Sequence, residues 1–197
     1  SGTPDELVRH AMSGVSVINA GDGNRAHPTQ GLLDALTIRQ HRPGFEKLTV
    51  AICGDIKHSR VARSDIHALS TLGVKEIRLC GPAALMPATD EFPQARHFDD
   101  FDKAISGVDA IIMLRLQKER MESTDLPDEA AYFNRYGLDR RRLALAGHGG
   151  RVMHPGPLNR GIEIASDVAD GAQSRILEQV GNGVFVRMAV LDEVLAR

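Results

Sequence analysis

The sequence predicts an α/β protein whose core is an open, mostly parallel sheet with helices on both faces. Short apolar runs typical of buried strands alternate with segments whose apolar residues recur at helical spacing. The runs at 48–53 and 109–114 are apolar along nearly their whole length, as expected for parallel strands that are covered on both sides. With 197 residues, the chain is long enough to bury a sizeable core.

The first part of the chain pairs a short strand with a long helix. An amphipathic helix is predicted over 4–13 and a buried strand over 15–18. A glycine-rich loop follows, and Pro28 then suits the first turn of a helix because its missing N–H costs nothing there. Leu32 and Leu33 belong to the apolar face of this helix.

A strand–helix–strand unit of the size of a parallel crossover comes next. Its strands are predicted at 48–53 and 76–80, with a helix over 61–72 between them. With the later strands, this unit predicts a Rossmann-like sheet. The remaining predicted elements are a Pro-rich irregular stretch at 81–100, helices at 101–105, 129–136 and 138–145, strands at 109–114 and 151–153, a loop into a turn at 162–168, and a closing helix over most of 174–195 with a kink or break at 181–183.

Composition excludes several classes of function. The formal net charge is −2 and the basic residues form no single block, which argues against a nucleic-acid surface. No apolar run approaches the roughly 18 residues that span a bilayer, and no signal peptide is visible, so we expect no membrane contact. Cys53 and Cys80 lack the spacing of metal ligands and are interpreted as buried thiols in a reducing cytoplasm. Glycine-rich dinucleotide and nucleoside-triphosphate signatures are also missing.

His27 and Gln30 lie at the predicted start of the long helix. Free N–H groups and the helix dipole favour an anion there. The same field disfavours imidazolium, so we expect His27 to stay neutral and to donate a hydrogen bond to a carbonyl. Gln30 offers both donors and an acceptor. The alternative is an ordinary strand-to-helix turn in which His27 is only a cap.

Other polar residues follow the carboxyl ends of predicted strands, where open α/β sheets bind ligands. Lys57 and Arg60 follow one strand, and Arg115 and Gln117 follow another. Two arginines at that edge form a fork for carboxylates or phosphates. A fifth strand opens into the turn His154-Pro155-Gly156-Pro157, whose carbonyls could face a ligand amine.

Each of these residues also has a purely structural interpretation. Arg60 could be a solvated residue in the first turn of a helix, and Arg115 could pair with Glu119 on an exposed turn. For the side chain of His154, a packed histidine is the preferred interpretation. No nucleophile elbow and no convincing histidine metal set is visible, so covalent catalysis has no candidate.

Four motifs carry a resemblance to a known family. They are Asn-Ala-Gly-Asp-Gly…His-Pro-Thr-Gln at 19–30, Gly-Asp-Ile-Lys-His-Ser-Arg-Val-Ala-Arg-Ser at 54–64, Met-Leu-Arg-Leu-Gln-Lys-Glu-Arg at 113–120 and Met-His-Pro-Gly-Pro-Leu-Asn-Arg-Gly at 153–161. In content and order they resemble the catalytic chain of the aspartate carbamoyltransferase family. The closing segment, with Gly-Asn-Gly-Val-Phe-Val-Arg-Met-Ala-Val-Leu, resembles the family's last helix.

The resemblance implies carbamoyl transfer from carbamoyl phosphate to L-aspartate, early in pyrimidine synthesis, with no metal or organic cofactor. His27 would hydrogen-bond the carbamoyl carbonyl and Gln30 the carbamoyl amine. The aspartate carboxylates would bind Arg60 and Arg115. By the same resemblance, Gln117 supports the two arginines, and the backbone carbonyls of Gly156 and Pro157 accept from the carbamoyl NH₂.

The resemblance also implies a division of the chain. Residues 1–40 would be the end of a carbamoyl-phosphate domain and a linking helix, 41–180 an aspartate domain, and 181–197 a helix that returns to the first domain. The family's phosphate loop and mobile lysine loop do not occur in the sequence. We therefore expect this segment to be inactive without the family's N-terminal half. The resemblance implies that the intact enzyme is a homotrimer. It leaves open whether a regulatory or companion subunit is also present.

Two other functions compete with this interpretation. Ornithine carbamoyltransferase shares the fold and a similar His-Pro motif, but that family has a cysteine where Pro155 follows His154 here. Arg115-Leu116-Gln117 also suits a dicarboxylate better than a diamine side chain. A non-catalytic subunit or binding domain with the same fold is the second alternative. The missing phosphate loop favours it, whereas the intact residues on the aspartate side disfavour it.

Overall fold

A computed structural model describes residues 1–116, 128–147 and 149–196. In this part of the chain the core is a five-stranded sheet in which every neighbouring pair is parallel. The strands, in chain order, are β1 (Thr49–Cys53), β2 (Glu76–Cys80), β3 (Ala95–Phe98), β4 (Ala110–Met113) and β5 (Arg151–Met153).

Helices cover both faces of this sheet, so the predicted fold class is confirmed. None of the helices in the described residues is long and apolar enough to cross a membrane. They are α1 (Thr3–His10), α2 (Pro28–His41), α3 (Arg60–Thr71), α4 (Phe101–Ile105), α5 (Glu129–Tyr136), α6 (Arg140–Leu143), α7 (Ser166–Ala169) and α8 (Ile176–Leu195), with short 3₁₀ turns at Ala83–Leu85 and Ala144–Ala146.

The strand order β3-β2-β1-β4-β5 places the reversal of chain direction between β1 and β4. From β1 the chain runs outward to β2 and β3, then returns to the other side of β1 for β4 and β5. Loops that leave β1 and β4 therefore diverge to opposite faces and leave a crevice at their carboxyl ends.

Alternate side chains of each strand enter two separate cores. Ala51 and Cys53 of β1 pack with α4, α5 and α6 on one face. On the other face, Val50 and Ile52 pack with α2 and α3. Because both faces are buried, β1 is apolar at almost every position, which is the pattern that the sequence shows.

Two expectations about strands were wrong. Residues 15–18 form no strand, and Val15 is 53% exposed. A strand needs a neighbour for its backbone N–H and C=O groups, and none runs beside 15–18 within the described residues. Conversely, β3 lies inside the stretch expected to be irregular, because pairing with β2 orders Ala95–Phe98 despite their polar composition.

The predicted helices at 61–72, 101–105 and 129–136 are confirmed to within a residue, and the basic helix is split between α6 and a 3₁₀ turn. A short helix, α7, replaces the loop expected at 162–168. The closing helix α8 continues through its glycines, so the break expected at 181–183 is wrong. At Gly183 a Cβ atom would lie 2.6 Å from Arg187 Nη1 on the same helix and 3.4 Å from the Leu33 side chain of α2.

Polar residues of α2 are buried because this helix lies between α3 and α8. Gln30, Asp34 and Thr37 are all buried, whereas Leu32 is 49% exposed. The amide of Asn182 on α8 donates to Thr37 Oγ1 at 2.9 Å. Hydrogen bonding between helices, rather than an apolar stripe alone, therefore orients α2.

Candidate active site

A crevice of about 210 Å³ opens at the carboxyl ends of β1, β4 and β5. It lies at the reversal point of the sheet, where a parallel α/β fold is expected to bind its ligand. Six of the residues predicted for the site lie in its wall, while Lys57 is exposed and outside it. The wall is formed by His27, Gln30, Ser59, Arg60, Val61, Leu114, Arg115, Pro155, Gly156 and Pro157.

His27 is placed by the contact between the start of α2 and α3. Its backbone N–H donates to Ser64 Oγ at 2.8 Å. The helices approach closely because Gly31 has no side chain: a Cβ atom there would lie 2.8 Å from the carbonyl oxygen of Ser64. His27 is the N-cap residue of α2, but its side chain makes no capping hydrogen bond and is available to the crevice.

The His27 imidazole is held neutral. Burial and the positive charges of Arg60 and Arg187 lower its pKa from 6.5 to about 4. The expectation of a neutral ring is thus supported, but burial and two arginines supply the cause. Thr29 Oγ1 lies 3.4 Å from Nδ1. A proton donated by Thr29 to Nδ1 would leave the ring proton on Nε2, where it can be donated to a ligand.

Gln30 is buried at the wall of the crevice, one turn into α2. Its Nε2 donates to both carboxylate oxygens of Asp34, at 3.1 and 3.3 Å. Since that nitrogen is engaged, Oε1 is the amide atom left to face the crevice. Gln30 therefore presents an acceptor, which fits an N–H group of a ligand.

Arg60 is the first residue of α3. Ser59 caps this helix by accepting a hydrogen bond from the Ala62 N–H at 3.1 Å. A cation at a helix N-terminus is unfavourable unless an anion compensates it. Within 1–116, 128–147 and 149–196, no acidic side chain forms an ion pair with Arg60. Its guanidinium group is thus suited to an anionic ligand.

Arg115 follows β4 and lies in the crevice wall together with Arg60. The two strand ends are held close by a glycine: Gly54 has a φ of +123°, and a Cβ atom there would lie 2.6 Å from the Leu114 carbonyl oxygen. Gln117, predicted to support the two arginines, lies outside the described residues, as does Glu119, the alternative partner of Arg115.

The turn after β5 is held rigid by His154, which is 1% exposed. Its Nδ1 accepts from the Gly156 N–H at 2.9 Å, and its Nε2 lies 3.1 Å from Glu163 Oε1. Its own backbone N–H donates to Gln179 Oε1 at 3.0 Å. The interpretation of His154 as a packed residue is confirmed, and its contacts hold Gly156 at the crevice.

Several contributors to the site were not found from the sequence. Arg187 of α8 lowers the pKa of His27. Ser64 accepts a hydrogen bond from the His27 backbone N–H, and Asp34 accepts one from the Gln30 amide. Only the contact of Asp34 with Gln30 could have been predicted from the sequence, because the two residues are one helical turn apart on α2. Ser64 and Arg187 reach the site only through helix packing.

Comparison with known proteins agrees with this architecture. Residues 46–194 match the family described as "Aspartate/ornithine carbamoyltransferase, Asp/Orn binding domain". Residues 1–40 match its companion, the "carbamoyl-P binding domain". The chain belongs to the aspartate/ornithine carbamoyltransferase family.

Curated relatives within this carbamoyltransferase family are longer than the chain. The aspartate carbamoyltransferase catalytic subunit of Xanthomonas campestris is 57% identical over 195 residues, which is 98% of this chain and 62% of the relative. The same subunit of Stenotrophomonas maltophilia is 56% identical over 190 residues, or 96% of this chain and 60% of the relative. The chain thus spans about three-fifths of these relatives.

Solved structures of the family share the fold. Ornithine carbamoyltransferase from Thermus thermophilus superposes with a TM-score of 0.83 at 27% identity, covering 98% of this chain and 63% of its own. Aspartate transcarbamoylase from Trypanosoma cruzi, in complex with N-(phosphonacetyl)-L-aspartic acid, gives 0.77 at 29% identity, covering 96% and 60%. Both acceptor specificities therefore occur on this backbone.

Proposed function

We propose that the chain is the acceptor-binding part of an aspartate carbamoyltransferase. The enzyme would transfer the carbamoyl group of carbamoyl phosphate to the α-amino group of L-aspartate, giving N-carbamoyl-L-aspartate and phosphate in pyrimidine biosynthesis. The observation that carries the proposal is the placement of Arg60 and Arg115 in the wall of one crevice with the neutral His27. Identity of 57% to aspartate-specific catalytic subunits supports the same substrate.

On the acceptor side, Arg60 and Arg115 bind the two carboxylates of aspartate. Guanidinium groups pair with carboxylates in bidentate geometry, and two of them select a dicarboxylic acid. We also assign Gln117 to this side, on the motif that it shares with the family. A diamine acceptor such as ornithine would instead meet like charge at the same place.

On the donor side, His27 and Gln30 bind the carbamoyl group. The Nε2–H of neutral His27 donates to the carbonyl oxygen, and Gln30 Oε1 accepts from the NH₂ group. Carbonyl groups of Gly156 and Pro157, which lie in the crevice wall, take the remaining N–H. These contacts orient the carbamoyl plane toward the aspartate amine.

The reaction then needs no covalent intermediate with the protein. The unprotonated amine of aspartate attacks the carbamoyl carbon and forms a C–N bond. The C–O bond to phosphate breaks, its electron pair leaves with the phosphate, and the proton released by the amine passes to the departing phosphate. His27 stabilises the negative charge that develops on the carbonyl oxygen, while the arginines hold the amine in position.

We assign 1–40 to the end of the carbamoyl-phosphate domain and its linking helix, 41–180 to the aspartate domain, and 181–197 to the helix that returns to the first domain. We infer a homotrimer, with a regulatory or companion subunit left open. A cytoplasmic location fits the two buried free thiols, Cys53 and Cys80.

The deciding experiment is a carbamoyl-transfer assay. The chain is tested alone and mixed with the N-terminal half of a family member, with L-aspartate and L-ornithine offered separately. We expect transfer to aspartate only, and only in the mixture. Transfer to ornithine would overturn the acceptor assignment. Aspartate binding without transfer in any mixture of folded halves would favour a non-catalytic subunit.

A further inference from the structure

Behind the crevice, two carboxyl groups are buried against each other. Asp34 lies on α2 and Asp65 on α3, and each is 1% exposed. The two helices pack closely here, since a Cβ atom on Gly31 of α2 would lie 2.8 Å from the carbonyl oxygen of Ser64, the residue before Asp65. Each carboxyl group accordingly affects the pKa of the other. No lysine, arginine or histidine of the described chain forms an ion pair with either group.

The two carboxyl groups have unequal surroundings. Asp34 accepts from Gln30 Nε2, and from Gln179 Nε2 at 2.5 Å. Neither oxygen of Asp65 receives an N–H donor from the residues that the structure describes. The N–H donors around Asp34 stabilise its ionised form. Among the described residues, Asp65 has no such donor, so its neutral form is favoured.

Two adjacent buried carboxylates cannot both be ionised without a large electrostatic cost. Burial raises the pKa of Asp34 to about 6, and burial together with the charge of Asp34 raises the pKa of Asp65 well above its usual value. Within the described residues, the groups that face the pair are the neutral amides of Gln30 from α2 and Gln179 from α8. Among the described residues, each carboxyl is thus the only charged group that acts on the other.

We propose that Asp34 and Asp65 share one proton, carried by Asp65, and that this acid–carboxylate pair positions Gln30 with its amide oxygen toward the crevice. The Asp65 hydroxyl donates to the Asp34 carboxylate, which can then only accept. The Asp34 carboxylate accepts a hydrogen bond from Gln30 Nε2, so the amide oxygen of Gln30 is the atom that faces the ligand. The effect on turnover rests on the proposed carbamoyl transfer, whereas the shared proton and the amide orientation do not.

Loss of the proton would place two negative charges between α2 and α3. The native state binds this proton over a pH range in which an unfolded aspartate has already released it, so the free energy of unfolding decreases as pH rises through that range. Asp65→Asn removes the dependence, because an amide of the same shape donates to Asp34 at every pH.

The first test uses the chain itself and needs no activity. Infrared spectra at neutral pH are expected to contain the C=O band of a buried carboxylic acid that Asp65→Asn lacks. The melting temperature gained by Asp65→Asn is expected to increase from about pH 5 to about pH 8. A missing acid band, or a gain that does not vary with pH, would overturn the shared proton.

The second test concerns Gln30. Its side-chain NH₂ signals in NMR spectra should be protected from exchange in the wild type and in Asp65→Asn, but not in Asp34→Asn. Thr37→Val is the matched control, because it removes a different buried α2–α8 hydrogen bond and should leave the Gln30 signals unchanged. Protection that survives Asp34→Asn would overturn the positioning role.

Turnover is measured with the complementing N-terminal half present. We expect Asp34→Asn to lose about tenfold or more in kcat, and Asp65→Asn to stay within about twofold at neutral pH with a flatter alkaline limb. Wild-type turnover by Asp34→Asn would contradict positioning. If the wild type itself transfers no carbamoyl group, the proposed function fails, and the NMR and infrared results still decide this inference.

Discussion

Gly21 lies directly against the guanidinium group of Arg60. A Cβ atom on Gly21 would stand 2.9 Å from Arg60 Cζ and 3.0 Å from both terminal nitrogens. Gly21 also has a φ of +134°, a conformation that other residues rarely adopt. The glycine loop before α2 thus forms one side of the space in which Arg60 is held at the crevice.

Gly21→Ala is expected to displace Arg60 and to raise the KM for aspartate more than it lowers kcat. The added methyl group cannot be accommodated unless the guanidinium moves, and the positive φ adds strain of about 1–3 kcal/mol. Steady-state kinetics in the complemented enzyme and thermal unfolding measure the two effects separately. Gly14→Ala is the control: Gly14 has a φ of +84°, but nothing lies within 4 Å of its Cβ position. An equal change of KM in both variants would contradict the role assigned to Gly21.

Arg60→Lys should impair aspartate use although the charge is kept. A lysine ammonium cannot form the two parallel hydrogen bonds of a guanidinium group. Since a hydrogen bond to a charged group contributes about 1.5–3 kcal/mol, we expect kcat/KM for aspartate to fall on the order of tenfold to a hundredfold. Arg63→Lys on the same helix is the control, because Arg63 pairs with Glu91 away from the crevice. If both variants behaved alike, Arg60 would not be a carboxylate ligand.

His27→Ala removes the proposed oxyanion donor. Loss of one such donor costs about 3–4 kcal/mol of transition-state stabilisation, so kcat should fall by a factor on the order of hundreds. The assay needs the complemented enzyme, with circular dichroism as a check on folding. His67→Ala, on the exposed side of α3, should leave kcat unchanged. A decrease of less than about tenfold for His27→Ala would contradict the role proposed for this imidazole.

The ring of His27 should titrate far below an ordinary histidine. NMR of the imidazole is expected to give a midpoint near the pKa of about 4, and Arg187→Gln should move the midpoint upward because it removes a positive charge. Between pH 6.5 and about 4, His27 is protonated in the unfolded chain but stays neutral in the native state. His27 therefore makes the free energy of unfolding fall as pH falls through this window. A midpoint near 6.5 would show that the ring is neither buried nor close to the arginines.

Local patterns predicted much of the fold because they report burial directly. β1 and β4 are buried on both faces, and their continuous apolar runs identified them. Residues 15–18 have a similar run but remain exposed, since an apolar run does not reveal whether a neighbouring strand exists. β3 shows the converse, because its backbone pairing with β2 orders four residues without an apolar pattern.

The site was predicted unevenly for the same reason. His27, Gln30, Arg60 and Arg115 follow loops or strand ends, and parallel strands bring such positions to one edge, so their convergence in one crevice could be anticipated. The effect of Arg187 on the pKa of His27 could not be anticipated, because it depends on how α8 crosses α2.

By itself, the sequence determined the order of most helices and strands and which polar residues stand at the edge of the sheet, because periodicity and turn chemistry are local properties. Only the tertiary structure decided which of these groups meet. The contact of Gly21 with Arg60 and the pairing of Asp34 with Asp65 join segments about 30 to 40 residues apart. Such pairs depend on helix crossings and close backbone approach, and their charges and hydrogen bonds act only once packing has excluded water.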